Sequence, residues 1–185
     1  MNLRRLIPTA VVLFACCGGL SAQELPKMPQ PSEQHQWLQQ FVGKWDCQSE
    51  ATMGPGQPPL SCKGTMTTHS LGGFWVLNEI KNEVGGVKVT GVQTIGYDSK
   101  KKKYVGTWVD SMTDHIWQYE GSVDEAGKKL TLYADGPNVM DGGKQAHYRD
   151  SYEFKSPDHI LATSEMQGED GKWMTFMTGN YRRQK

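Results

Sequence analysis

Asp110 and Asp114 stand four residues apart and could act as an acid–base pair, since facing carboxylates raise one another's pKa. The same residues also suit a turn, where aspartate oxygens accept backbone N–H groups. The five histidines, His35, His69, His115, His147 and His159, form no His-x-His, His-x-x-x-His or His-Glu-x-x-His arrangement, so no metal centre is indicated. A Gly-x-Ser-x-Gly elbow, a phosphate-cradling Gly-x-x-x-x-Gly-Lys run and a dinucleotide fingerprint are all absent. What the chain does have is aromatic area with scattered polar groups. Trp75, Trp108, Trp117, Tyr119 and Trp173, with Glu79, Asp110, His115 and Arg149 to fix orientation, are the candidate lining of a ligand cavity. The competing reading has these rings filling a core while the polar groups face water, with Arg149, Asp150 and Glu153 in exposed cross-strand pairs.

The elements that must position these residues begin after a leader. Arg4 and Arg5, the apolar Leu6 to Ala15 and the small residues Leu20-Ser21-Ala22 have the form of a secretory signal peptide over residues 1–22. Export to the periplasm or the extracellular space is therefore expected. Leu13-Phe14-Ala15-Cys16 is the alternative, a lipobox in which Cys16 would be lipid-anchored. Residues 23–33, with Pro26, Pro29 and Pro31, make a proline-rich extended leader. Residues 34–185 then suffice for one domain.

The whole chain is formally neutral, with 20 basic and 20 acidic residues. Removing Arg4 and Arg5 leaves it slightly acidic, with no electrostatic footprint for nucleic acid. The one basic cluster, Lys100 to Lys103, falls where a hairpin must turn. Cys47 and Cys62 are the cysteines that remain beyond the signal, and an oxidising compartment favours their pairing. A disulfide here would tie shut the Gly54-Pro55-Gly56-Gln57-Pro58-Pro59 loop and add up to about 3 kcal/mol.

Residues 34–41 have helical spacing through Trp37, Leu38 and Phe41, with Ser32 as cap. Ten extended runs follow, over 43–51, 61–70, 74–84, 86–97, 103–110, 114–122, 128–134, 145–154, 159–166 and 172–183. Alternation shows in Val87-x-Val89, Trp117-x-Tyr119 and Tyr152-x-Phe154. Gly72-Gly73, Gly85-Gly86, Asp98-Ser99 and Ser156-Pro157-Asp158 supply the turns. The expected fold is all-β, an antiparallel up-and-down barrel of about ten strands with one short N-terminal helix, because closure removes exposed edges. An open two-sheet sandwich is the alternative.

Phe41-x-Gly43-x-Trp45, Leu71-Gly72-Gly73-Phe74, Gly96-Tyr97-Asp98 with Lys102-Lys103-Tyr104, Thr107-Trp108-x-Asp110-x-Met112 and Glu120-Gly121 together resemble the family known as domain of unknown function 1579. The resemblance implies a calycin or lipocalin-like barrel and carries no established activity. It further implies that Trp45 plugs the closed end beneath a basic residue of the last strand, Arg182 or Arg183, by cation–π packing. Related barrels include haem carriers, so a single axial histidine, His115 or His147, is the form a haem site would take here. No other cofactor is expected.

A ten-strand barrel is wider than its side chains need, which makes carriage of a small apolar or amphipathic molecule the leading functional expectation. A filled barrel whose loops 52–60 and 136–144 contact another protein is the alternative, and an enzyme the third.

Overall fold

The computed structural model describes residues 28–52, 57–138 and 141–185. The signal segment with Cys16, residues 23–27 of the leader, and parts of the two loops at 53–56 and 139–140 lie outside the described residues. The chain divides into a short unit, Met1–Gln30, and the barrel unit Pro31–Lys185.

Helix α1 spans Glu33–Leu38 and runs into a 3-10 turn, Gln39–Phe41. Its start is held by Ser32, whose backbone N–H donates to His35 Nδ1 at 3.0 Å while its carbonyl accepts from Gln36 N–H at 3.0 Å. The strands are β1 Gly43–Ala51, β2 Leu60–Leu71, β3 Trp75–Val84, β4 Val87–Asp98, β5 Lys103–Asp110, β6 Trp117–Val123, β7 Lys129–Asn138, β8 Lys144–Ser156, β9 His159–Gln167 and β10 Trp173–Arg183. All neighbours pair antiparallel in sequence order, and β1 pairs with β10 from Trp45↔Arg183 to Ala51↔Met177, so the sheet is a closed up-and-down barrel. No helix among the described residues is long and apolar enough to cross a membrane.

Period-two patterning sets the inner face. Trp45, Cys47 and Ser49 are buried while Lys44, Asp46, Gln48 and Glu50 between them are not. At the helix end the interior is filled. Trp37, Phe41, Tyr104, Tyr152 and Phe154 meet edge to face at 4.9–5.9 Å. Trp37 Nε1 is satisfied by Gly127 O at 2.8 Å and Tyr104 OH by Gln34 O at 3.2 Å.

Trp45 lies under this plug, fully buried, and donates through Nε1 to Phe41 O at 2.8 Å. Arg183, not Arg182, covers it: the guanidinium carbon stands 4.1 Å from the ring centroid. The same guanidinium donates to Val42 O at 2.6 Å, Gln40 O at 2.8 Å and Pro157 O at 3.1 Å, so it also satisfies carbonyls left open where the helical turn ends. Arg182 is exposed on the outer face, in register with Asp46.

One expectation is corrected here. Cys47 and Cys62 are free, buried thiols. Both face inward on adjacent strands, but register sets Cys47 opposite Gly64 and Cys62 opposite Ser49. That diagonal places their Cα atoms at roughly 7–8 Å, beyond the usual span of a disulfide. Burial pushes the Cys47 thiol up to about 12, with the Asp46 carboxylate adding to the shift, which makes it inert near neutrality.

Arg183→Ala removes the stacked cation and its carbonyl partners together, and is expected to cost about 2–3 kcal/mol. Arg182→Ala is expected to stay within about 0.5 kcal/mol. Urea unfolding of the two variants measures the difference; equal effects would show that the stack does not hold the closed end.

Candidate functional site

The opposite half of the barrel is open. A cavity of about 310 Å³ lies between β4, β5, β6, β8, β9 and β10 and opens past the β5–β6 loop, residues 111–116. One side of its wall is the end of a register row. Thr68, Asn78, Gln93, Trp108 and Trp117 are directly paired from strand to strand across β2 to β6. Because barrel strands tilt, such a row climbs from one end of the barrel toward the other. It begins as a buried polar chain and ends as two indoles at the mouth.

The indoles need glycine beneath them. A Cβ on Gly91 would sit 2.4 Å from the Trp108 ring, and one on Gly136 would sit 2.3 Å from the Trp117 ring. Bare backbone at these two positions lets the rings lie flat on the wall and leaves the axis clear. Trp117 meets His115 and Tyr148, each at 4.9 Å, and Tyr148 meets Phe176 at 6.2 Å, so aromatic edges circle the mouth. The register of β10 shifts between Thr175 and Met177, a bulge that lets consecutive residues Phe176 and Met177 both line the space.

Polar groups collect at the base. Thr68 Oγ1 donates to Asn78 Oδ1 at 2.8 Å, Asn78 Nδ2 to Gln93 Oε1 at 2.9 Å, and Tyr152 OH to the same Oε1 at 3.2 Å. Gln93 Nε2 is left buried without a partner. Tyr119 OH donates to Asp150 Oδ2 at 2.5 Å. Desolvation raises the Asp150 carboxyl above its ordinary range, opposed by hydrogen bonds from Ser164 and Tyr119. Burial first, then the Asp150 charge, pushes the Tyr119 phenol well above its ordinary value.

The candidate lining divides sharply on this frame. Trp108, Asp110, Trp117 and Tyr119 line the cavity, and His115 sits at its rim on the β5–β6 loop with Nε2 unpartnered. Asp110 shapes that loop: Oδ2 accepts from Trp108 Nε1 at 2.7 Å, and Oδ1 from Met112 N–H at 2.7 Å and Thr113 N–H at 3.1 Å. Trp75 and Glu79 are exposed on the outer face of β3, where Val76, Asn78 and Ile80 take the interior. The Trp75 ring covers Gly96 of β4.

Arg149 and Trp173 are brought together, but outside the barrel. The guanidinium lies 4.4 Å over the indole and donates to Glu165 Oε2 at 2.5 Å and Oε1 at 3.0 Å. Asp150, expected in exposed pairs with Arg149 and Glu153, instead faces the cavity. Gln93, Asp150, Tyr148 and Phe176 are among the lining residues outside the expected set. The period of Tyr148-x-Asp150-x-Tyr152-x-Phe154 was the available signal for Asp150.

The residues do not fit haem. His147 points outward to Asp135 Oδ1 at 2.5 Å, His159 is bound to Asn180 at 2.8 Å, and His35 caps α1. His115 stands edge-on to Trp117 at the rim, so no described histidine projects from a strand toward the cavity as an axial donor. Among the described residues no group of three or more metal-ligating side chains is assembled.

The family model for the protein of unknown function DUF1579 matches residues 30–183. The chain belongs to that family. Among solved structures, Rv2717c from M. tuberculosis is similar with a TM-score of 0.59 at 12% identity, over 84% of this chain and 100% of its own. The S-type phycobiliprotein lyase CPES from Guillardia theta gives 0.53 at 12% identity, over 81% of this chain and 92% of its own. At such identities the likeness is one of fold. No curated protein matches. Within this family member the cavity is therefore read from its own residues.

An acid whose pKa rises on folding binds its proton more tightly in the native state. Its ionisation therefore weakens the fold, not at all below the ordinary aspartate value and fully above the raised native one. Asp150→Asn is expected to raise the melting temperature at neutral pH and to leave it unchanged at acid pH. Thermal melts across that range decide it; an equal shift at both ends would mean that the charge is not what burial penalises.

Proposed function

We propose that this chain is an exported, non-catalytic barrel that carries one small amphipathic molecule in the open half of its interior. The observation that supports carriage is the cavity itself. At about 310 Å³ it lies at the lower end of the range for small-molecule sites, with mostly apolar walls and a few polar groups at the base. A barrel whose rings met on the axis throughout would have favoured a filled interaction module. Here they meet only at the helix end.

Apolar area against Trp108, Trp117, Phe176 and Met177 would supply affinity through desolvation. The base would fix which end of the cargo enters first. Entry is past the β5–β6 loop, whose shape Asp110 holds through two backbone N–H groups. Residues 1–22 have the form of a signal peptide, and we place the encounter with the cargo outside the cytoplasm on that ground.

Native mass spectrometry on protein recovered from its own cell envelope or medium tests both parts. A polypeptide mass beginning at Gln23, with a reproducible additional mass of a small molecule, is the expected result. A lipid-modified Cys16 terminus would replace secretion by anchoring, and an uncleaved chain would overturn export. Ala162, buried against the cavity, provides the control. Ala162→Leu narrows the space and is expected to weaken retention of the molecule tenfold or more, about 1.4 kcal/mol. Undiminished retention in that variant would move the cargo out of the barrel.

A further inference from the structure

The charges facing the cavity are of one sign. Asp110 and Asp150 line it with no lysine or arginine beside them, and the basic side chain at its rim is His115 on the β5–β6 loop. Asp110 is occupied by the fold, its oxygens taken by Trp108 Nε1 and the N–H groups of Met112 and Thr113. Asp150 is different. Its partners are the hydroxyls of Tyr119 and Ser164, neutral donors that leave a half-buried negative charge without a counter-ion.

A carboxylate in such surroundings is costly unless a cation joins it. The side chains around the same space include two that attract cations, for the Trp108 and Trp117 indoles lie flat on the wall and turn their π faces to it. The neighbours of Asp150 add no positive charge. Tyr119 faces it from β6, Leu132 from β7, Tyr152 from its own strand, Ser164 from β9 and Tyr181 from β10.

The second observation is independent. In the structure the Gln93 amide has its Oε1 accepting from both Asn78 Nδ2 and Tyr152 OH, while the Thr68 hydroxyl donates to Asn78 Oδ1. In that arrangement its Nε2 is the donor left without an acceptor, on a side chain only 1% exposed that lines the cavity. Leaving such a donor unmet costs on the order of 1–3 kcal/mol. An acceptor on a bound molecule would recover it.

We propose, resting on the carriage reading above, that the cargo is a small organic cation: a protonated amine set against Asp150 among the indoles, which also presents a carbonyl or similar acceptor oxygen to Gln93 Nε2. Each unmet group of the site then has its complement on one molecule. The two ends of the cargo differ in kind, so its orientation is fixed as well.

Four probes of one size test this on the mature protein, read by tryptophan fluorescence and calorimetry. Aminoethylbenzamide has the cation and the carbonyl, phenylbutylamine the cation alone, propylbenzamide the carbonyl alone, and hippurate a carbonyl with a carboxylate. Aminoethylbenzamide is expected to bind at least tenfold more tightly than propylbenzamide or hippurate, and severalfold more tightly than phenylbutylamine. Its advantage over propylbenzamide should shrink as pH falls and Asp150 takes up a proton, and should do so equally in a His115→Gln variant, which removes the titratable group at the rim. Asp150→Asn should abolish that advantage and leave propylbenzamide unchanged, whereas Gln93→Leu should abolish the advantage over phenylbutylamine.

Equal binding of all four probes, or preference for hippurate, would overturn the cationic assignment while leaving carriage intact. Binding by none of them, with only the apo mass found in protein from its native source, would overturn both.

Discussion

The Arg183 guanidinium over Trp45 is the interaction that ties the helical segment to the closed end of the barrel. It joins the last strand to the first through a stack at 4.1 Å, and it binds the carbonyls of Gln40 and Val42 where the helical segment enters β1. Without a cation at that point, the strand pairing of β1 with β10 would still close the sheet, but the turn from the helical segment into β1 would lose the partner of its open carbonyls. Seated over the closed end, the helix drives Trp37 and Phe41 into the interior and makes one half of the barrel solid. The open half can then be hollow because the packing that stabilises the domain is concentrated elsewhere.

Between the halves lies the polar chain Thr68, Asn78, Gln93 and Tyr152. Buried amides in a core raise the cost of any misregistered alternative, since a slip by one residue would strand each of them on the wrong face. The chain therefore fixes register where the apolar pattern is thinnest. It has a second effect. By using one end of the Gln93 amide, it leaves the other end unpartnered in a residue that lines the cavity.

Much of the architecture was legible because period-two alternation and turn chemistry are local properties. β5 was expected at 103–110 and is found at Lys103–Asp110; β1 likewise keeps its bounds. The deviations have particular causes. β6 starts at Trp117 and not at 114, because Asp110 draws the following backbone into a loop. β7 runs on to Asn138 through Gly136 and Pro137, residues that argue for a break in sequence, and Gly136 here serves as the bed of the Trp117 ring.

The site was less legible, because a face is decided by neighbours far along the chain. Arg149 and Asp150 exchanged their expected sides: Glu165 and Trp173, from two other strands, hold the arginine outside. The disulfide failed for a related reason, since two inward cysteines on paired strands say nothing of a two-residue offset.

The hollow half is not a failure of packing. Residues of the size needed to fill it are present, and the chain lays them along the wall: Trp108 on Gly91, Trp117 on Gly136, and Phe176 turned in by a bulge beside Met177. Alanine at either glycine would push an indole toward the axis and close the space. Interior carboxylates point the same way. A barrel shaped for stability alone would have an apolar residue or an amide at Asp150, where desolvation works against the charge. Glycine floors and an unpaired acid each lower stability, and neither improves the fold. The carriage proposed above reconciles them, since an occupant's volume would replace the missing side chains and a cationic one would answer the carboxylate.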